Sequence, residues 1–245
     1  MIKYIIAENL KYKHTLLKKL LLIIPFVFVL IPFFLIPQYF TACAYNWWYI
    51  LLMPATFTLI PSMIHKYEEK NVKYASIYSL PINLKLVWYS KILVAKGYIL
   101  EIATLHILLT YAGQLIIPKQ LGPTYSIATL LMASLSLVIT SIWQIPLCFI
   151  LLKKTGFSFT IIINVIIGVL LGIIFANGKY WFLCPYSWSM GVMIPIMKIL
   201  PNGTIAKSNE AMLTSSVLIP FIFSIFLTTI FSLLSAKWFA KQEAK

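Results

Sequence analysis

Six long apolar runs, at about 20–36, 47–64, 92–117, 126–152, 157–176 and 213–236, alternate along this 245-residue chain with short segments that hold most of its lysines. That pattern leaves little choice of fold. About 20 apolar residues in helical form span a hydrocarbon core of about 30 Å, and backbone inside lipid must satisfy its own hydrogen bonds. The expectation is an all-α, polytopic membrane protein with six transmembrane helices. Charge supplies the direction. With the N-terminus inside, the inner segments carry sixteen lysines: those from Lys3 to Lys19, those from Lys66 to Lys96, Lys153 and Lys154, and Lys237, Lys241 and Lys245. Lys119, Lys179, Lys198 and Lys207 fall outside. Cytoplasmic loops carry the positive excess, so both termini are expected in the cytoplasm.

Composition agrees, with 61% of residues hydrophobic and 11% charged. The formal charge of +14 does not imply nucleic acid, because these lysines flank apolar spans, where anionic lipids attract them. Cys43, Cys148 and Cys184 lack metal-ligand spacing. Cys43 and Cys184 fall on the same outer side, which leaves a disulfide and isolated packing cysteines as alternatives. The N-terminus imitates a secretory signal ending at Ala42-Cys43-Ala44. Its long basic lead and spanning-length apolar run point instead to a retained first span.

The whole chain, 1–245, reads as one membrane domain. Residues 1–19 place Ile2, Ile5, Ile6, Leu10 and Leu17 near helical spacing among lysines, which predicts an interfacial elbow helix. Spans one and two occupy 20–64. The inner loop 65–91 starts with charges, then presents Tyr74, Ile77, Tyr78 and Leu80 as an apolar stripe that Pro81 terminates. A short amphipathic helix needing lipid or a protein to pack on is its natural product. Spans three to five follow at 92–176. The outer segment 177–212 is too apolar to float free and too interrupted by Pro185, Pro195 and Pro201 to cross. It reads as short re-entrant helices, with Trp181, Tyr186 and Trp188 as aromatic anchors. The last span, 213–236, leads to the inner tail 237–245.

Chemical motifs are mostly missing. No phosphate-binding loop, HExxH, nucleophile elbow or CxxC appears, and the chain has no Asp. Glu68-Glu69 resembles the paired glutamates of some intramembrane metalloproteases, with Lys73 where those carry Arg. In a lysine-rich loop it reads more simply as a solvated charge run. No catalytic residue, metal ligand or bound cofactor is expected. In the third span, Lys96, Glu101 and His106 are ionisable. Glu101 is expected to turn into the bundle and pair or take up a proton, with Gln144 and Asn164 as candidate partners. Gly168 and Gly172, with Asn164 one turn earlier, offer a close-packing face to a helix of this chain or of another.

Several segments together carry a family resemblance: Asn46-Trp47-Trp48, Glu68-Glu69-Lys70, Tyr78-Ser79-Leu80-Pro81, Trp143-Gln144-Ile145-Pro146, Lys153 to Phe157, Cys184-Pro185-Tyr186-Ser187-Trp188, and Ile199-Leu200-Pro201-Asn202-Gly203. In this order, over nearly the whole chain, they resemble the permease subunits of lantibiotic-immunity ABC transporters of the MutE and EpiE type, themselves similar to type-2 ABC exporters. The resemblance implies the elbow helix, a cytoplasmic coupling helix and the re-entrant helices. It also implies a separate ATPase subunit that binds ATP and Mg, a second related permease or a second copy, and export of a cationic antimicrobial peptide from the plasma membrane. The ATPase would dock around Glu68, Glu69, Tyr74, Ile77, Tyr78, Leu80 and Pro81. Candidate peptide contacts are Trp181, Tyr186, Trp188, Asn202 and Glu101. The alternatives are a permease of this fold for another drug or lipid, and, from another class, an intramembrane hydrolase.

Overall fold

A computed structural model describes residues 1–72, 74–118, 122–207 and 216–241. Lys73, residues 119–121, residues 208–212 of the outer segment, 213–215 of the last span and the tail from 242 lie outside the described residues. Among the described residues the chain is mostly helical with no strand, and an isolated antiparallel bridge joins Ile199 to Ile205. Five helical segments are long and apolar enough to cross a membrane: Leu16–Leu35, Pro37–Val72, Leu84–Ile116, Ile127–Ala176 and Leu218–Ala240. This is a multi-pass membrane protein.

Helix α1 (Ile2–Lys11) leads through a turn into α2 (Leu16–Leu35). α3 (Phe40–Trp47), a π-turn at Trp48–Leu52, α4 (Met53–Tyr67) and a second π-turn at Glu68–Val72 run on as one rod. The short α5 (Tyr74–Tyr78) precedes α6 (Leu84–Ile116). α6 starts earlier than the apolar run because Asn83 caps it: its side chain accepts from the Leu86 N–H at 3.2 Å. Lys85 and Lys91 disguise these first turns as loop. With 33 residues, α6 measures about 50 Å, well beyond a bilayer core.

α7 (Ile127–Ser141), α8 (Gln144–Ile161), a π-turn at Ile162–Ile167 and α9 (Gly168–Ala176) form a 50-residue run. The run is not straight. Gly156 sits at φ 82°, in the left-handed region that a side chain disfavours. Gln144 and Asn164 hydrogen-bond at 3.0 Å. Twenty residues of straight helix would hold them about 30 Å apart, so the chain reverses at Gly156. Short 3₁₀ turns at Trp181–Leu183 and Pro185–Ser187 lead to α10 (Trp188–Met197), then α11 (Leu218–Ala240).

Side-chain distribution is that of a protein in lipid. Leu22, Phe26 and Phe34 on α2, Leu108 and Leu115 on α6, Leu170 and Ile174 on α9, and Ile222 and Phe226 on α11 all face outward. Thr58, Ser62, Ser134, Thr140 and Ser224 are buried. Ser134 pairs with the Tyr45 hydroxyl, and the other hydroxyls donate to backbone carbonyls, those of Thr58 and Ser62 to the carbonyls four residues back. An aromatic column closes the lysine-rich end: Trp88 stacks on Phe239 at 4.5 Å and packs on Phe149 at 5.6 Å, and its N–H donates to Ser235 at 2.8 Å.

α1 turns its apolar residues Ile2, Ile6 and Leu10 outward and buries Glu8. It packs along α6, where the Tyr4 hydroxyl accepts from Asn83 N–H at 3.4 Å and Tyr98 donates to Asn9 at 2.5 Å. All three cysteines are free thiols. Ala42 and Ala44 are buried inside α3.

Candidate functional site

The feature that stands out against a lipid-adapted chain is a cluster of four charges at the lysine-rich end, three of them buried and Lys11 partly exposed. α1 contributes Glu8 and Lys11, with Tyr12 just after it; the second π-turn contributes Glu68, and α6 contributes Lys91. Lys11 donates to Glu8 at 2.6 Å and to Glu68 at 2.9 Å. Lys91 forms a close ion pair with Glu68 and lies 3.6 Å from Glu8. The Tyr12 hydroxyl donates to Glu8 at 2.5 Å. Glu68 and Lys91 are 0% and 1% exposed, so both are deprived of water.

Local backbone explains the arrangement. Glu8 and Lys11 are three apart, on one helix face. A π-turn adds a residue to the helical repeat and rotates the following side chains, a distortion often found at functional sites. Here it carries Glu68 inward while Glu69 and Lys70 stay exposed. Two carboxylates and two ammoniums leave the cluster neutral. Burying one such charge alone costs several kcal/mol. The set therefore holds together only as a set, and it fastens α1, the loop after α4 and α6 to one another.

Burial pushes the Lys11 ammonium down, but Glu68 and Glu8 outweigh it and hold the group above its ordinary range. Burial, then the Glu8 and Glu68 charges, raise the Tyr12 phenol well above its usual range. Tyr74 moves the same way, by burial and then Glu68. Burial and Glu68 push Tyr78 up to about 12. Each phenol stays protonated at neutral pH, and Tyr12 serves as a donor. Lys153 caps Tyr74, its Nζ 3.7 Å from the ring centroid.

The expected ATPase-facing residues divide here. Glu68 belongs to the buried cluster, and Ile77 is turned inward at 4% exposure. Tyr74 and Tyr78 are half-buried against Phe239, at 6.1 and 5.3 Å. Ser76, Ser79, Leu80 and Pro81 point outward, and so does Glu69. Two rings of the apolar stripe, Tyr74 and Tyr78, thus pack on this chain's own α11.

Glu101 does not enter the bundle. It lies on the outer face of α6 and pairs with Lys18 at 3.2 Å, while Lys18 also sits 4.3 Å above the Tyr98 ring. The partner expected for Glu101, Asn164, serves elsewhere. Its side-chain N–H₂ group lies near Thr58 Oγ1 at 2.9 Å, Gln144 Oε1 at 3.0 Å and the Pro54 carbonyl at 3.3 Å, and its oxygen accepts from Tyr186 at 3.2 Å.

At the opposite end, Trp181 and Trp188 lie inside the protein. The Trp181 ring covers Gly191, where an added Cβ would stand 2.2 Å from it. Trp188 donates to the Phe182 carbonyl at 2.7 Å. Tyr186 covers Gly168 and contacts Gly172, so this small-residue face is filled from within the chain. Asn202 is exposed and accepts from the Thr204 N–H at 3.1 Å, bracing a turn in which Gly203 has φ 84°. That turn is tied down by Asn46, which donates to the Pro201 carbonyl at 3.2 Å, and by Tyr49, which donates to the Leu200 carbonyl at 3.0 Å.

Sequence reading passed over Glu8, Lys11, Tyr12 and Lys91. Only Glu8 carried a signal, the scarcity of acids. The chain has six acids, and Glu8 stands among isoleucines and leucines.

Fold and site together define a helical multi-pass membrane protein with a charge cluster bracing one end. Beyond that class, no protein-family model, curated protein or solved structure matches this chain.

Proposed function

We propose that this chain is the membrane-spanning permease subunit of an ABC exporter that expels a lantibiotic-like cationic antimicrobial peptide from the plasma membrane, as self-immunity. A separate ATPase subunit, holding ATP and Mg, supplies the energy, and a second related permease or a second copy completes the channel. The chain crosses the membrane six times, the fourth and fifth passes meeting at Gly156, with both termini in the cytoplasm.

The observation that carries this reading is the wiring of the lysine-rich end. The outward tip Ser79-Leu80-Pro81 adjoins α5, and α5 packs next to Glu68 and Phe239. Glu68 in turn grips α1 through Lys11 and α6 through Lys91. A push delivered at the tip reaches the helix preceding the first span, the third span and the last span together. Packed side chains, ion pairs and rigid helices of this kind can carry coupling between distant sites. The hydrolase alternative finds no support at Glu68, whose carboxylate is held by two ammoniums and is not free to activate water.

Peptide contact falls to the outer segment. With Trp181 and Trp188 inside, its skin is Tyr180 and Leu183, about 60% exposed and level with the outer headgroups on this reading.

Co-purification with the cognate ATPase tests the proposal. Leu80→Asp places a charge on an exposed tip without touching the core, so folding is retained and ATPase recovery is expected to fall at least tenfold. Wild-type recovery with Leu80→Asp would remove the tip from the contact, and no ATPase on the unaltered chain would remove the exporter reading.

A further inference from the structure

A groove of about 690 Å³ opens between the start of α2, the second half of α4 and the Gly156 turn. That is many times the roughly 30 Å³ share of one water molecule. Its two halves differ in chemistry. Leu20, Leu59 and Met63, deeper along α2 and α4, line the part toward the apolar spans. Lys66, Lys70, Thr15 and Asn71 line the side toward the lysine-rich end, with one acid, Glu69, on that rim. Lys66 and Lys70 are both exposed, and among the described residues neither ammonium has an ion-pair partner.

The mouth is open at its far wall. An added Cβ on Gly156 would meet nothing within 4 Å, and Leu16 and Phe157, 60% and 47% exposed, flank the opening with apolar surface. The inner wall is Tyr12 and Tyr67, packed edge to face at 5.4 Å. Tyr12 also donates to Glu8, so the groove backs directly onto the buried charge cluster.

We infer that this groove binds an anionic phospholipid from the leaflet at the lysine-rich end. The phosphate and headgroup sit against Lys66 and Lys70, and one acyl chain runs along Leu20, Leu59 and Met63. A groove greasy toward the membrane middle and basic toward the surface matches the lipid's own division into tail and head. Two ammoniums against one carboxylate select a net negative headgroup over a zwitterionic one. Occupancy presses on Tyr12, and through it the lipid stabilises the joint between α1, the loop after α4 and α6. The inference needs the chain to lie in a bilayer but not to couple to an ATPase. Failure of either claim leaves the other standing.

The test uses the full-length detergent-purified chain, titrated with phosphatidylglycerol, phosphatidylcholine or inorganic phosphate while thermal unfolding is followed, with native mass spectrometry counting retained lipid. Phosphatidylglycerol is expected to raise the midpoint and to be retained as one molecule, with a preference over phosphatidylcholine of roughly five- to thirtyfold, the range from one net positive charge to two unopposed lysines near anionic lipid. Inorganic phosphate is expected to do nothing. Lys66→Ala with Lys70→Ala should abolish the preference and leave the lipid-free midpoint unchanged, since both side chains are exposed. Equal binding of the two lipids, an equal response to inorganic phosphate, or full preference in the double variant would each overturn the inference.

Discussion

Replacing Lys91 with Met is expected to destabilise the folded protein by about 3–5 kcal/mol, the range for removing one partner of a buried ion pair. Lys91 is the sole ammonium contributed to the cluster by α6, and its loss leaves two buried carboxylates sharing Lys11. Glu68→Leu should cost a similar amount for the mirror reason. The double variant, Glu68→Leu with Lys91→Met, is the informative one. It removes one charge of each sign, leaves Glu8 with Lys11, and fills the space with apolar groups of similar length. Well-packed replacements of buried ion pairs are often neutral, so most of the loss should be recovered. Thermal unfolding of the four proteins in detergent gives the coupling energy as a double-mutant cycle. Additive single losses would mean that the two side chains do not act as a unit.

Asn164→Leu is expected to cost about 2–4 kcal/mol, from several interhelical hydrogen bonds at roughly 0.6–1.7 kcal/mol each and from the buried amide of Gln144 left without its partner. Asn164 joins α4, α8 and the Tyr186 hydroxyl at one point inside the bundle. Tyr186→Phe removes one of these bonds and should cost under about 1.5 kcal/mol on the same scale. Asn202→Ala offers a control: its side chain braces an exposed turn, and surface substitutions of this kind fall near 0.5 kcal/mol. Loss of monodisperse protein for Asn164→Leu alone would fit this ranking. Equal behaviour of Asn164→Leu and Asn202→Ala would contradict it.

The five apolar helical segments of membrane-crossing length were legible because their signal is local. Hydrocarbon thickness sets helix length, and a run of apolar residues states it in the sequence. The short outer helix Trp188–Met197 was legible in kind as well, since prolines bracket and interrupt its run. What the pattern concealed depends on partners far away in sequence. Lys91 looks like a loop lysine until Asn83 starts α6 eight residues before it. Glu8 looks like a polar point on an interfacial helix, and its burial depends on Glu68 and Lys91 arriving from other elements. π-turns have no signature in apolar periodicity, although one carries Glu68 and another Asn164. Glu101 misled for the opposite reason. Desolvation cost argues that a charge in a span turns inward, but Lys18 at the start of α2 satisfies it from the outside. The spacing of Gly168 and Gly172 announced a close contact. It could not announce that Tyr186 and Met190 of the same chain would fill it.

Whether the run Ile127–Ala176 crosses the membrane twice decides the architecture, and two surface positions report on it. Ser79 precedes α6 and Thr204 follows α10, and both are exposed. With Cys43, Cys148 and Cys184 replaced by alanine, Ser79→Cys and Thr204→Cys can be labelled in turn with a membrane-impermeant maleimide. Three passes between them put these residues on opposite sides. Thr204→Cys should react in intact cells and Ser79→Cys only after permeabilisation. Reaction of both from the same side would mean that the chain does not turn back through the bilayer at Gly156, and reaction of Ser79→Cys alone in intact cells would invert the molecule.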